Sequence, residues 1–279
     1  MAKQAELAAR PLPAIAPAPV QSADTAKPET SPKPATVPMR QGDALRDCND
    51  CPKLVTVLAG SYLDVADAKS NNPPKNATIA QDFAIGRNDI TFDDWNKCVS
   101  DGACDAITAD AGWGRGTRPM IFVSFDDVTT QYLPWLSKLT GKAYRLPSKD
   151  EWQYAALGGK GAAETTSQIA DQSKDCFNAS GPTSANCPNT YEGTSPVGSF
   201  PPNALGLNDM KGNVWQWTAD CWRPFNYTPN ANPNVCDMRI VMGGAWSTNR
   251  SEVIGKVAGW EKPNKRANSI GFRVVRSLP

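Results

Sequence analysis

The sequence contains no histidine at all. That absence excludes Ser-His-Asp and Cys-His nucleophiles, His-ligated zinc, copper or iron, and proximal-His haem. An apolar run of about eighteen residues, the length a membrane helix needs, is also missing, so no membrane span is expected. Excess charge is missing too. Lys and Arg number 29 against 28 Asp and Glu, a net charge of +1. With no Lys/Arg run either, nothing steers nucleic acid or anionic lipid. Aromatics are absent from the first 61 residues, and all 23 Phe, Trp and Tyr lie from Tyr62 onward. That stretch instead holds eight of the 24 prolines, Pro11 to Pro38, among Ala, Thr, Ser and Lys. It cannot bury enough apolar surface to offset its chain entropy. Residues 1–45 are therefore expected to form a disordered or polyproline-like tether, and 46–279 a single folded domain beginning near Cys48.

The most apolar N-terminal piece, Pro11 to Val20, is interrupted by four prolines and makes no secretory h-region. Either the protein is cytosolic, or a signal was removed before this numbering begins. The cysteines favour the second reading. There are eight, in four neighbouring couples: Cys48 and Cys51, Cys98 and Cys104, Cys176 and Cys187, Cys221 and Cys236. Each couple lies within or beside loop-like sequence. Sequence does not fix connectivity, but sequential pairing costs least in loop closure. Each bridge would add roughly 2–3 kcal/mol. The rival reading is a zinc site, which calls for paired CxxC motifs. Only one occurs, Cys48 to Cys51, and it does not open a helix as a redox-active pair does. Disulfides imply an oxidising compartment.

Regular elements are few. Leu54 to Leu58 reads as a strand ending at Gly60, and Phe83 to Thr91 as another. Thr91 is placed to cap a helix over Phe92 to Val99, with Asp93 and Asp94 in its first turn. Ser124 caps a second helix running to Thr140, which Gly141 stops and Pro134 should kink. Ser148 and Glu151 form a capping box opening a third through Ala156. After Gly158 no helix is evident, and short strands such as Arg239 to Met242 and Gly271 to Val275 sit among Gly, Pro, Asn and Trp. The expected fold is an α+β domain, irregular and loop-rich, stapled by disulfides.

An ordered series of motifs then gives a resemblance. It comprises Phe83-Ala84-Ile85-Gly86, Arg118-Pro119, Val123-Ser124-Phe125-Asp126-Asp127, Arg145-Leu146-Pro147-Ser148 and Glu151-Trp152-Gln153-Tyr154-Ala155-Ala156. It continues with Pro196-Val197-Gly198-Ser199-Phe200-Pro201-Pro202-Asn203, Gly212-Asn213-Val214-Trp215-Gln216-Trp217, Gly243-Gly244-Ala245-Trp246 and Gly271-Phe272-Arg273. Over about residues 52–276 the chain resembles the formylglycine-generating enzyme, or sulfatase-modifying factor, family. The resemblance implies a C-type-lectin-like fold with structural calcium. One calcium site would be Asp209, Gly212, Val214 and Gln216. The family commonly has an acid at the last position, so the neutral ligand should weaken binding without abolishing it. A second would be Asn186, Cys187, Asn189 and Tyr191.

The family's oxidising members place two cysteines after the Gly-Gly-Ser-like turn to hold copper. Thr248 and Val253 stand there, and Ala245 replaces the serine, so copper–thiolate chemistry is not expected. Within the family, the chain's overall character resembles the periplasmic branch that matures the siderophore pyoverdine. That implies a peptide siderophore precursor as partner, with other periplasmic tailoring enzymes as further partners, and oxidation of a dihydropyoverdine-type chromophore. The alternative is a non-catalytic, calcium-stabilised, lectin-like binding module. Candidate catalytic residues are Thr248, Arg250, Glu252, Trp260 and Glu261, with Trp246 and Asn249 binding substrate. A catechol-like ring would stack on Trp, and a Glu would serve as general base. The segment Gly259-Trp260-Glu261, followed by Pro263, is expected to be a rigid loop beside the ligand.

Overall fold

The computed structural model describes residues 39–64, 75–159, 177–180, 191–223, 236–255 and 258–279. Two fully buried apolar runs start the architecture: β2 (Leu54–Val57) and β5 (Phe83–Gly86). Strands apolar on both faces need cover on both sides, and both sides are covered. With β1 (Ala44–Leu45), β6 (Tyr144–Arg145) and β11 (Val275–Ser277) they form a five-stranded antiparallel sheet, ordered β1-β2-β5-β11-β6. Side chains alternate across it. Leu54, Ala84 and Val274 face one core, which contains Trp95, Tyr132, Trp217 and Phe272. Val55, Val57, Phe83, Ile85 and Val275 face a second, built on Trp152, Tyr154 and Met242.

The folded domain therefore begins before the expected boundary at residues 45/46. Ala44 pairs with Val55 and Leu45 with Leu54. The expected tether otherwise lies outside the described residues.

The helices start where their caps place them. Thr91 and Asp94 form a capping box for α1 (Phe92–Ser100), and Ser124 and Asp127 form one for α2 (Phe125–Asp127). The expected helix to Thr140 is not continuous. Val128–Tyr132 is a π turn, followed by α3 (Leu133–Thr140) with Pro134 in its first turn. Pro134 has no N–H to give to a preceding carbonyl, and it sits in the first turn of α3 directly after the π turn. Gly141 closes α3 at a φ of 66°. In α4 (Lys149–Ala156) Ser148 and Glu151 cap reciprocally at 3.0 and 2.8 Å, while Arg145 grips both Glu151 oxygens at 2.6 Å.

A second sheet carries the C-terminal half. Its strands are β7 (Trp215–Cys221), β8 (Arg239–Met242), β9 (Ala258–Glu261) and β10 (Ile270–Gly271), ordered β10-β7-β8-β9. Only the β10–β7 pairing is parallel. A separate hairpin joins β3 (Gly60–Asp64) to β4 (Lys75–Ile79). The expected strand Gly271 to Val275 is split between β10 and β11, because Phe272 and Arg273 turn the chain from one sheet to the other. A helix absent from the sequence reading, α5 (Arg250–Gly255), follows β8.

Three expected bridges are present: Cys48–Cys51, Cys98–Cys104 and Cys221–Cys236. Among the described residues no cysteine is free. Cys176 and Cys187 lie outside them. No helix among the described residues is long and apolar enough to cross a membrane.

Candidate functional site

The turn between β8 and α5 is built by two glycines with left-handed backbones, Gly243 (φ 99°) and Gly244 (φ 75°). A Cβ on Gly244 would fall 2.7 Å from Val253 Cγ2, so the close packing admits only glycine. The turn is fastened to a second one. Gly212 N–H donates to Gly243 O at 2.8 Å, and Trp246 N–H donates to Asn213 O at 2.9 Å.

Beyond it the chain is tied down residue by residue. Thr248 Oγ1 accepts the Ala245 N–H at 3.0 Å. Asn249 Oδ1 accepts from Ser251 N–H and Oγ–H at 3.0 and 2.7 Å, capping α5. Val253 is buried against Gly244. The two positions where the resemblance would put thiolates thus hold a hydroxyl engaged in a turn and a core aliphatic.

Beside this turn stands an aromatic wall. The half-buried Trp246 donates its indole N–H to Asn268 O at 3.2 Å and meets Trp113 edge-on, with centroids 4.9 Å apart. Gly193 lies under Trp113, so closely that a Cβ there would touch the ring at 2.2 Å. Arg250 is buried with its guanidinium 4.1 Å above the Phe177 ring. Phe177 also lines a cavity of about 290 Å³ with Phe200, Asp209, Met210 and Lys211. Trp246, Thr248, Asn249 and Arg250 are therefore together, and the exposed Glu252 lies on the first turn of α5 beside them.

Trp260 and Glu261 are elsewhere. They occupy β9, paired with Ile240 and Arg239 of β8, so the segment is an edge strand and the expected loop is corrected. Pro263 follows the last pairing and disturbs no ladder bond. β9 pairs directly with β8, and Trp260 and Glu261 stand opposite Ile240 and Arg239, residues that precede the Gly243 turn along β8. Trp260 stacks on Trp222 with centroids 4.4 Å apart and remains 43% exposed.

The sequence reading missed the polar node at the centre of the domain. Arg273 is fully buried. Its Nε donates to Gln216 Oε1 at 2.7 Å, Nη1 to Gly86 O at 2.8 Å and Nη2 to Asn208 O at 2.8 Å. Asp89 Oδ1 lies 3.4 Å from Nη2, while its Oδ2 is buried without a hydrogen-bond partner. Burial pushes the Asp89 carboxyl up to about 8 against the pull of Arg273, and the same burial lowers Arg273. The signal available in sequence was an arginine within the otherwise apolar run Gly271 to Val275.

That node bears on the expected calcium ligands. Gln216 Oε1 accepts from both Trp152 Nε1, at 2.6 Å, and Arg273 Nε, at 2.7 Å, and its Nε2 donates to Asp209 O at 2.8 Å. Asp209 Oδ2 accepts the Gly198 N–H at 2.8 Å. A calcium ion asks for six to eight oxygens, and the Gln216 oxygen has both lone pairs engaged. The set Asp209, Gly212, Val214 and Gln216 does not fit the ion. Among the described residues no group of three or more Cys, Asp or Glu side chains could hold a metal. Of the second expected set, Asn186, Cys187 and Asn189 lie outside the described residues, and Tyr191 packs edge-on against Phe200.

Residues 40–278 match the model of the sulfatase-modifying factor enzyme 1-like domain. The chain is 30% identical over 182 residues to the inactive C-alpha-formylglycine-generating enzyme 2 of Mus musculus, covering 60% of this chain and 53% of that protein. It is 27% identical over 172 residues to the formylglycine-generating enzyme of Mus musculus, covering 57% and 44%. The chain thus spans about half the length of the curated relatives it matches. Among solved structures, PvdO from Pseudomonas aeruginosa superposes with a TM-score of 0.68 at 30% identity, covering 86% of this chain and all of that one.

Proposed function

The chain belongs to the sulfatase-modifying factor enzyme 1-like domain family, and from that premise we propose that it is a periplasmic siderophore-tailoring protein that works without the family's thiolates. The observation carrying this reading is the turn Ala245 to Val253. Its two thiolate positions are closed by the Thr248 hydrogen bond and by buried Val253, while two half-buried indoles, Trp246 and Trp113, meet edge-on beside them. Aromatic rings suit a planar, catechol-like chromophore. Arg250, held over Phe177, supplies positive charge for an acidic group of the siderophore peptide. The three disulfides among the described residues favour an oxidising compartment.

The proposed reaction is oxidation of a dihydropyoverdine-type chromophore. A carbon–carbon bond of the saturated ring becomes a double bond, and two electrons and two protons leave. Dioxygen accepts them as hydrogen peroxide. Glu252, two residues after Arg250 on α5, is our candidate to receive a proton, whereas Glu261 pairs with Arg239 on the strand before the turn.

One observation favours a second reading, a binding module that presents its ligand to another enzyme. Glu252, the acid assigned to the reaction, is exposed and belongs to a single short helix. The test is incubation of the purified protein with the dihydro precursor in air, followed by mass spectrometry. Loss of two hydrogen atoms with matching peroxide supports tailoring. Tight binding without conversion selects the binding module, and neither binding nor conversion rejects both.

A further inference from the structure

We propose that the amide of Gln216 is what closes the Asp209–Gln216 segment to calcium, leaving the Arg273 guanidinium as the charged group that ties it to the rest of the domain. A carboxylate at that position has two oxygens. One can accept from Trp152 and Arg273 while the other faces a cation. The amide has one oxygen, and both of its lone pairs are used, at 2.6 and 2.7 Å. Turning the amide over would set its NH₂ group against two N–H donors, so its orientation is fixed by its neighbours. The end facing Asp209 is therefore a donor, bonded to Asp209 O at 2.8 Å, and a donor cannot ligate a cation.

Arg273 is itself the cation of this node. Its three short bonds tie Gln216 on β7, Gly86 at the end of β5 and Asn208 in the loop before Asp209. These segments come from distant parts of the chain, so one side chain supplies a cross-link of the kind a bound ion provides.

The experiment uses the whole chain stripped of metal. Thermal melting is followed with calcium and with chelator, for the wild type and for Gln216→Glu. The expected result is a calcium-dependent rise only in Gln216→Glu, about 5–10 °C at a hundredfold excess over Kd. No rise in Gln216→Glu overturns the assignment of position 216. A rise in the wild type that Asp209→Asn abolishes overturns the proposal as a whole. Should Gln216→Glu not fold, calcium uptake is measured by titration calorimetry in the wild type and Asp209→Asn. Equal uptake supports the proposal, and loss of a bound ion in Asp209→Asn overturns it.

Discussion

Replacing Arg273 by Met keeps much of the apolar stem and removes the fork. Three buried oxygens, Gln216 Oε1, Gly86 O and Asn208 O, then lose donors at 2.7, 2.8 and 2.8 Å. The contacts to Asp89 and Arg87 O, both at 3.4 Å, weigh little beside them. Each buried acceptor left unpaired costs about 1–3 kcal/mol, and Gln216 retains Trp152 as one donor. The expected loss is therefore on the order of 5 kcal/mol, a large part of the roughly 5–15 kcal/mol that holds a domain together. At about 2–4 °C per kcal/mol for a domain this size, the melting temperature falls by some 10–20 °C. Calorimetry or urea unfolding measures it. Arg273→Lys separates charge from geometry. A point charge cannot reach three acceptors in a fork, so Lys should recover only a minor part. A fall under about 3 °C for Met, or full recovery with Lys, refutes the assignment of Arg273 as a geometric staple.

Burial holds a proton on Asp89 up to about 8 and on Asp209 up to about 6, each against an ordinary 3.8. Across those windows the folded protein keeps protons that the unfolded chain has lost. The contribution of these two groups is fully present at acid pH and declines as pH rises toward 8, and Asp89→Asn should flatten the upper part of that decline in urea midpoints. Thiol titration of the unfolded, non-reduced protein should find close to none of the eight cysteines reactive; four or more would defeat the case for an oxidising compartment. Gly244→Ala should destabilise by about 1–3 kcal/mol in urea unfolding, since it strains a φ of 75° and drives its Cβ to 2.7 Å from Val253.

What sequence made legible was local. The Thr91, Ser124 and Ser148 caps could be read because a capping box needs only residues three apart. The three bridges could be read because their partners are 3, 6 and 15 residues apart. Strand β7 was missed although Trp215–Cys221 alternates apolar and polar residues; its burial does not follow that alternation, and its ladder with β8 shifts register between Trp217 and Cys221. Trp260 and Glu261 were grouped with Trp246 by nearness in sequence, although β8 and β9 pair antiparallel and set them opposite Ile240 and Arg239, before the Gly243 turn. The Arg273 node was illegible for a related reason. Its partners Gly86, Asn208 and Gln216 lie 187, 65 and 57 residues away.

The place of β11 in its sheet governs how this chain can be made. Residues 275–277 sit between β5 and β6, pairing Val275 with both Ile85 and Arg145. During synthesis the slot is vacant until residues 275–277 have left the ribosomal exit tunnel. Until then β5 shows an open edge and Phe83 and Ile85 lack Val275 as a neighbour, the kind of surface that recruits chaperones or pairs with another nascent chain. Helix α1 and the hairpin of β3 and β4 use neighbouring residues and can form earlier. Loss of residues 275–277 would thus leave most local elements intact and still open the sheet between β5 and β6.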